Sequence, residues 1–257
     1  MSLETDVAAL LAVARIAARK LALASTEQKN AALTTLAAMI RKSKPEILAA
    51  NRSDLERAHR ERRSGPMVER LTLNDDRIEA IARGVSEVAA LPDPVGATID
   101  AWQRPNGLKI EKRRVPIGLI AIIYESRPNV TVDAAALCLK SGNAVVLRGG
   151  KEALASNACL AGLVARALKE TGLDPSAAMF IDNPEREIVQ ILKRSREALD
   201  LIIPRGGREL KAALEGSAVA LLPHFEGICH TYVDASADLK MAEEICFNAK
   251  CSRPSVC

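Results

Sequence analysis

The sequence is poor in aromatic side chains and has no long apolar run. Phe, Trp and Tyr make up 2% of its 257 residues, which argues against a protein that binds single-stranded nucleic acid by stacking bases on rings. No apolar run approaches the roughly 20 residues that span a bilayer, and the segment after Met1 is acidic where a signal peptide is basic. We therefore expect a cytoplasmic protein that binds neither nucleic acid nor membrane.

Patterns typical of metal sites and disulfide frameworks are also missing. The sequence has three histidines and six cysteines, and no two cysteines form a Cys-x-x-Cys pair, so we expect no bound metal. Most of the cysteines should be reduced and buried. Cys257 is the last residue, which we interpret as a sign that a longer protein is cut there. A reactive thiol needs a nearby cation or helix N-terminus, so from the residues alone Cys257 is either structural or catalytic.

The remaining composition is that of a large aliphatic globular protein. Hydrophobic residues make up 48% and charged residues 26% of the chain, and the net charge is +4. These values exclude an intrinsically disordered chain. The small positive excess suits a negatively charged small ligand better than a nucleic-acid surface.

The N-terminal part, residues 1–100, shows the apolar periodicity of helices. Ser25 and Ser43 each open a pattern typical of a capping box, and Asn74 is placed to cap a later helix. The charged run 56–63 is typical of a solvated helix face. We expect these helices to pack on the domain that follows.

A β-hairpin is predicted at residues 101–114, around Asn106-Gly107. A two-stranded ribbon is marginal alone, so it should rest on another surface, such as a second subunit.

Residues 115–250 alternate short β-rich runs with helical stretches. This order predicts an α/β domain with a parallel sheet covered on both faces, which binds its ligand beyond the carboxyl ends of the strands. Gly142 and Gly172 are expected to terminate helices. The predicted strands are 117–123, 144–147, 178–181, 201–203, 219–222 and 230–233, and the predicted helices are 131–140, 155–170, 184–194, 207–215 and 237–249.

Two glycine-rich loops are candidates for binding phosphate, although the Gly-x-Gly-x-x-Gly fingerprint is absent. Arg148-Gly149-Gly150-Lys151 and Arg205-Gly206-Gly207-Arg208 each follow a predicted strand. Glycines permit close approach to the backbone, while cations and helix N-termini favour phosphate. Such loops are also common as plain turns, but two of them at one sheet edge favour a nucleotide site.

The segment 124–130 is a turn between the first strand of this sheet and a helix. Pro128 fits a strand poorly and moves its predecessor out of the helical region. Asn129 then lies near a helix N-terminus, either as an N-cap or as an amide donor that stabilises an oxyanion.

These residues resemble the γ-glutamyl phosphate reductases (glutamate-5-semialdehyde dehydrogenases) of the aldehyde dehydrogenase superfamily, along nearly the whole chain. The superfamily's cofactor domain also lacks the usual glycine fingerprint. The resemblance implies a Rossmann-like cofactor domain at 115–250, the hairpin at 101–114 as an oligomerisation arm, and residues 251–257 as the start of a catalytic domain whose remainder is absent. The matching runs are 115–131, 141–151, 203–207, 227–230 and 248–257.

The activity implied by the resemblance is the NADPH-dependent reduction of L-glutamyl 5-phosphate to L-glutamate 5-semialdehyde, with release of phosphate, in proline biosynthesis. Cys257 aligns with the nucleophile that forms a thioester. Asn129 aligns with the oxyanion-stabilising asparagine, which favours the second of its two interpretations.

Cofactor contacts follow from the same resemblance. The part of the superfamily site that contacts the adenosine ribose of the cofactor corresponds to Arg148, Gly149 and Lys151. The cation at Lys151 suits a 2′-phosphate and hence NADP. The part of the site that lies near the cofactor pyrophosphate corresponds to the turn formed by Arg205, Gly206 and Gly207.

Since the chain stops at its predicted nucleophile, we expect it to be inactive alone and its full-length enzyme to be a homo-oligomer. His224 and Glu226 lie where oxidising relatives place a general base, and neither receives a role. Two other interpretations stay open: a non-catalytic nucleotide-binding module with an inert Cys257, and an oligomerisation scaffold that uses the hairpin.

Overall fold

The computed structural model describes residues 2–223 and 228–252. Cys257, together with His224 and Glu226, lies outside the described residues. Within these ranges a helical N-terminal part is followed by a β-hairpin and then by an α/β part. None of the helices described is long and apolar enough to cross a bilayer.

The N-terminal part is helical, as predicted. Ser25 forms a capping box with Gln28, and the Asn74 side chain accepts the backbone N–H of Arg77 at 2.8 Å. The helices are α1 (Leu3–Leu21), α2 (Thr26–Lys42), α3 (Lys44–Arg60), α4 (Gly65–Leu71) and α5 (Asp75–Ala90).

The second predicted capping box, at Ser43, is wrong. Ser43 makes no side-chain cap, because it also ends α2, with φ −93° and ψ 17°. A capping side chain reaches the N–H groups of its helix from an extended backbone. A residue shared by two consecutive helices does not have that conformation.

The predicted hairpin is present as the antiparallel strands β1 (Thr98–Gln103) and β2 (Lys109–Arg113). Gly107 has φ 86°, which its lack of a side chain permits. Both strands are largely exposed.

The remaining strands form a parallel sheet, in the order β5-β4-β3-β6. Every residue of β3 is buried, which requires cover on both faces. Helices α6 and α7 contact each other and the sheet, and α1 contacts β3, β4 and α8. The predicted α/β fold with a parallel sheet is confirmed. Its elements are β3 (Leu119–Tyr124), α6 (Asn129–Lys140), β4 (Ala144–Arg148), α7 (Leu154–Glu170), β5 (Ala178–Phe180), α8 (Glu187–Arg194), β6 (Leu201–Arg205), α9 (Arg208–Leu214) and α10 (Leu239–Cys251).

Two of the predicted strands do not form. Residues 219–222 contribute only a parallel bridge between Ile202 and Leu221. Residues 230–233 are exposed and irregular. A strand needs a neighbour to bond its backbone, and no described segment pairs with residues 230–233, so their β-rich composition alone does not make a strand.

Two helices start two or three residues later than predicted. α8 starts at Glu187, because Asn183 accepts only the nearby N–H of Glu185, at 2.9 Å, and forms a local turn. α10 starts at Leu239, after Asp238 caps two of its N–H groups.

The N-terminal helices share one continuous hydrophobic core with the sheet. Charged contacts reinforce this packing: the buried Lys29 pairs with Asp93 at 2.5 Å, and the buried Lys140 donates to Asn30 at 2.5 Å and to the Ala89 carbonyl at 2.8 Å. The helical part therefore supports the elements on which the candidate site is built.

Candidate functional site

The carboxyl edge of the parallel sheet brings the predicted loops together. In the register of the sheet, Ile123 lies beside Arg148 and Tyr124 lies beside Arg205. The chain therefore leaves β3, β4 and β6 at neighbouring points of one edge, where parallel sheets bind ligands.

The turn after β6 already holds an anionic group of the chain itself. The Glu125 carboxylate accepts the N–H of Gly207 at 3.1 Å, and a Cβ on Gly206 would lie 2.6 Å from the same oxygen. Gly206 is thus needed for this close approach. The predicted site residue Arg205 is exposed. A phosphate at the Gly207 N–H has to displace Glu125, a residue to which the sequence patterns assigned no role.

Arg148 holds a neighbouring loop. Its guanidinium donates to the Pro184 carbonyl at 2.9 Å, and its Nε is buried without a partner in the described residues. Burial lowers the pKa of Arg148. The side chain thus joins the end of β4 to the segment between β5 and α8.

Gly149 has a packing role that its sequence pattern does not indicate. A Cβ at Gly149 would collide with the amide nitrogen of Asn157, which is fully buried. The amide oxygen of Asn157 accepts from the Thr131 hydroxyl at 3.0 Å, and that hydroxyl lies 2.7 Å from the Tyr124 hydroxyl. Burial raises the pKa of Tyr124. This buried network joins the end of β3 to the start of α6 and to α7, and the Gly149 backbone packs against it.

Lys151 borders a cavity of about 190 Å³ whose lining includes Arg57, Glu61, Arg63 and Glu152. Arg57 donates to the Lys151 carbonyl at 2.9 Å. The Arg63 guanidinium bonds Glu61 at 2.6 Å and lowers the pKa of that carboxyl. The charged run 56–63 is mostly exposed, as predicted, but Arg57 and Arg63 turn towards the loop after β4.

Asn129 is the first residue of α6, and it does not cap this helix. The N-cap position is Pro128, and no side-chain cap is made. The Asn129 amide nitrogen instead donates to a carboxylate oxygen of Asp133, one helical turn later, at 2.8 Å. Burial raises the pKa of Asp133, while the bond from Asn129 opposes the shift. Of the two interpretations of Asn129, the N-cap is not seen in the structure, and the role as an oxyanion donor stays a prediction.

The Asn129 cavity is a space of about 410 Å³ between α5, the segment before it and the start of α6. Arg77 links α5 to the segment before it at the wall of this cavity. It donates to the carbonyls of Glu69 and Thr72 at 2.6 Å each, and to the Glu69 carboxylate at 2.7 Å. Charged and polar side chains dominate the lining, which consists of Arg70, Thr72, Leu73, Arg77, Ala80, Ile81, Arg127, Asn129 and Asp133.

Sequence reasoning missed most of this cavity. Asp133 could have been found from its spacing of four residues after Asn129 if the predicted helix 131–140 had been extended back to Asn129, where α6 begins. Arg77 carried no local signal, since only the packing of α5 against α6 brings it near Asn129. Neither did Arg70, which lies on α4 and lines the same cavity. In the described ranges, no group of three or more His, Cys, Asp or Glu side chains is arranged to hold a metal ion.

Comparison with known proteins identifies the family to which the chain belongs. The model of the aldehyde dehydrogenase family matches residues 2–253, and the chain belongs to this family.

The relatives narrow the resemblance. The chain is 51% identical over 246 residues to gamma-glutamyl phosphate reductase from Caulobacter vibrioides, covering 95% of this chain and 60% of that protein. It is 47% identical over 245 residues to the same enzyme from Thermodesulfovibrio yellowstonii, covering 95% and 59%. The crystal structure of gamma-glutamyl phosphate reductase from Thermotoga maritima superposes with a TM-score of 0.89 at 44% identity, covering 96% and 60%. The resemblance seen in the motifs is confirmed, and the chain spans about 60% of the length of these relatives.

Membership of this family implies a nicotinamide cofactor. The residues at the carboxyl edge fit such a group. No atom lies within 4 Å of the position that a Cβ on Gly207 would take, and the Gly207 N–H already binds a carboxylate. The exposed cations Lys151 and Arg205 lie at the ends of two strands of this edge. Backbone N–H groups and cations are the donors that bind cofactor phosphates.

Proposed function

We propose that the chain is part of an NADPH-dependent reductase that converts L-glutamyl 5-phosphate to L-glutamate 5-semialdehyde in proline biosynthesis. The relatives that carry this name support the substrate. The observation that carries the proposal is Asn129, whose amide is held as a donor by Asp133 at the lining of a cationic cavity.

In this proposal Cys257 is the nucleophile and Asn129 is the oxyanion donor. The thiolate attacks the acyl carbon of the substrate, the bond from that carbon to the phosphate oxygen breaks, and phosphate leaves as a thioester forms. One N–H of the Asn129 amide is used by Asp133, and the other stabilises the oxygen that becomes negative during attack.

The bound cofactor supplies the hydride that reduces the thioester. The negative oxygen on the reduced carbon then re-forms its double bond as the carbon–sulfur bond breaks, so the aldehyde leaves and the thiolate is restored. Because phosphate is expelled when the thioester forms, no water has to be activated. A general base at His224 or Glu226 is therefore not required.

The cofactor is held by this chain's loops after β4 and β6. Lys151, with Arg57 and Arg63 beside it, places positive charge where the 2′-phosphate of NADPH would bind. Arg205, Gly206 and Gly207 bind the pyrophosphate in place of the Glu125 carboxylate. Arg148 and Gly149 act indirectly, by fixing the loop that carries Lys151.

Cofactor choice is tested by fluorescence titration of the full-length gene product with NADPH and NADH. A charge-assisted hydrogen bond is worth about 1.5–3 kcal/mol, so Lys151→Glu should weaken NADPH binding about tenfold or more and NADH binding much less. Lys169→Glu makes the same charge change at an exposed position of α7 and should alter neither. Equal weakening of both cofactors by Lys151→Glu would contradict the 2′-phosphate role.

The homo-oligomer and the cytoplasmic location stay predictions. The hairpin offers exposed apolar side chains, Ile99 and Trp102 among them, to a second subunit. Sedimentation of the full-length protein with and without residues 101–114 tests this role.

A further inference from the structure

We propose that the Asn129 cavity binds the amino-acid end of the substrate, with Asp133 receiving its α-ammonium group and Arg127 its α-carboxylate. This inference rests on the proposed function, since it places the reacting carbonyl at Asn129. It adds how an amino acid is distinguished from a plain acid or aldehyde.

The position of Asn129 allows the substrate to extend into the Asn129 cavity. A carbonyl oxygen that accepts from the Asn129 amide lies at the wall of the Asn129 cavity, so the carbon chain attached to it can continue into that space. The volume of about 410 Å³ lies within the roughly 300–1,000 Å³ typical of small-molecule sites. The cavity is thus large enough for the rest of a glutamyl group.

Asp133 is a carboxylate whose positive partner is missing from the described residues. One of its oxygens accepts from Asn129 at 2.8 Å, and no Lys or Arg of residues 2–223 and 228–252 forms an ion pair with it. A half-buried carboxylate is costly to keep charged without a partner. An ammonium group of the ligand supplies that partner and uses the remaining acceptor sites.

Arg127 is suited to the α-carboxylate. Its side chain is exposed at the cavity and, within the part of the chain that the structure describes, has no hydrogen-bond or ion-pair partner. The guanidinium of Arg77, in contrast, is bonded to Glu69 and Thr72. A planar guanidinium binds a carboxylate through two parallel hydrogen bonds.

The other end of the substrate, its phosphate, is the competing occupant of this cavity. A phosphate would gain from the arginines but would be repelled by the Asp133 carboxylate. A zwitterionic group matches both signs of charge at once. The charges of the lining therefore favour the amino-acid end.

The test measures binding of L-glutamate, glutarate and inorganic phosphate to the full-length gene product by isothermal titration calorimetry. Glutarate is L-glutamate without the α-ammonium group. Asp133→Asn should weaken the binding of L-glutamate at least about tenfold and leave the binding of glutarate nearly unchanged, because only L-glutamate loses an ion pair. Arg127→Gln should weaken both. Arg83→Gln, at an exposed position of α5, should weaken neither.

Glutarate binding also reports that the Asp133→Asn variant is folded. Equal weakening of L-glutamate and glutarate by Asp133→Asn, no weakening at all, or no binding of L-glutamate by the unmodified protein would each overturn the proposal. Phosphate that competes with glutarate in a manner dependent on Arg127 would assign the cavity to the phosphate end instead.

The proposed function fails separately. If the enzyme turns over L-glutamyl 5-phosphate with NADPH but Asp133→Asn does not change L-glutamate binding, only the ammonium site is refuted. Binding that selects the ammonium group, together with no such turnover, supports the site and refutes the reaction.

Discussion

Asp54 is a fully buried carboxylate that joins α3 to the start of α7. It accepts the backbone N–H groups of Ala155 at 3.1 Å and Ser156 at 2.8 Å, and the Ser156 hydroxyl at 2.7 Å, and it forms an ion pair with Arg57. Replacement by alanine leaves these donors without their shared acceptor, next to the turn that carries Lys151.

The expected loss follows from these contacts. Removing one partner of a buried ion pair costs about 3–5 kcal/mol. Arg57 is 34% exposed and also donates to the carbonyls of Lys151 and Glu152, so its charge stays partly solvated and paired. We therefore expect Asp54→Ala to lower the free energy of unfolding by about 3 kcal/mol. Asp54→Asn keeps one acceptor oxygen and should cost about half as much.

Urea denaturation measures this change. At an m value of roughly 3 kcal/mol/M, a loss of about 3 kcal/mol lowers the midpoint by about 1 M. Asp76→Ala, at an exposed position in the first turn of α5, is the matched control and should cost no more than about 1 kcal/mol. An Asp54→Ala variant that loses no more than this control would refute the view that the carboxylate joins the helical part to the cofactor loop.

Two further predictions concern packing. Gly149→Ala places a Cβ against the buried Asn157 amide and should lower the free energy of unfolding by about 1–3 kcal/mol. Gly162→Ala is the control: it lies in α7 with no atom within 4 Å of the new Cβ, and it should raise the free energy of unfolding by about 0.5–1 kcal/mol. Equal effects of the two variants in thermal unfolding would contradict the contact between Gly149 and Asn157. Burial raises the pKa of the Cys138 thiol to about 12, so iodoacetamide near neutral pH should leave Cys138 unlabelled in the native protein while the exposed Cys251 reacts. Mass spectrometry reads the labelling, and similar rates for both thiols would show that the core around Cys138 opens readily.

The sequence predicted those features that local chemistry decides. Four of the predicted strands occur in the sheet, and Gly142 and Gly172 follow helix ends with φ of 73° and 76°. These strands and helix ends depend on residues that are close in sequence and have strong conformational preferences. The same local logic failed at Ser43, because a second helix ends there.

Tertiary packing decided what could not be predicted. Arg77 and Asp133 are 56 positions apart in the sequence and line one cavity only because α5 packs on α6. Gly149 was recognised as part of a candidate loop because a glycine lets a ligand approach the backbone, but in the structure it makes room for Asn157. The Glu125 carboxylate at the Gly207 N–H likewise depends on the lateral order of β3 and β6.

A phosphate-dependence assay on the full-length gene product tests the proposed thioester route most directly. L-Glutamate 5-semialdehyde and NADP⁺ are mixed with and without inorganic phosphate, and formation of NADPH is followed by its absorbance. A thioester that is made from, and returned to, an acyl phosphate predicts NADPH formation that requires phosphate and is lost in Asn129→Ala and Cys257→Ala. NADPH formation that proceeds equally well without phosphate would contradict the account, since water rather than phosphate would then complete the reaction.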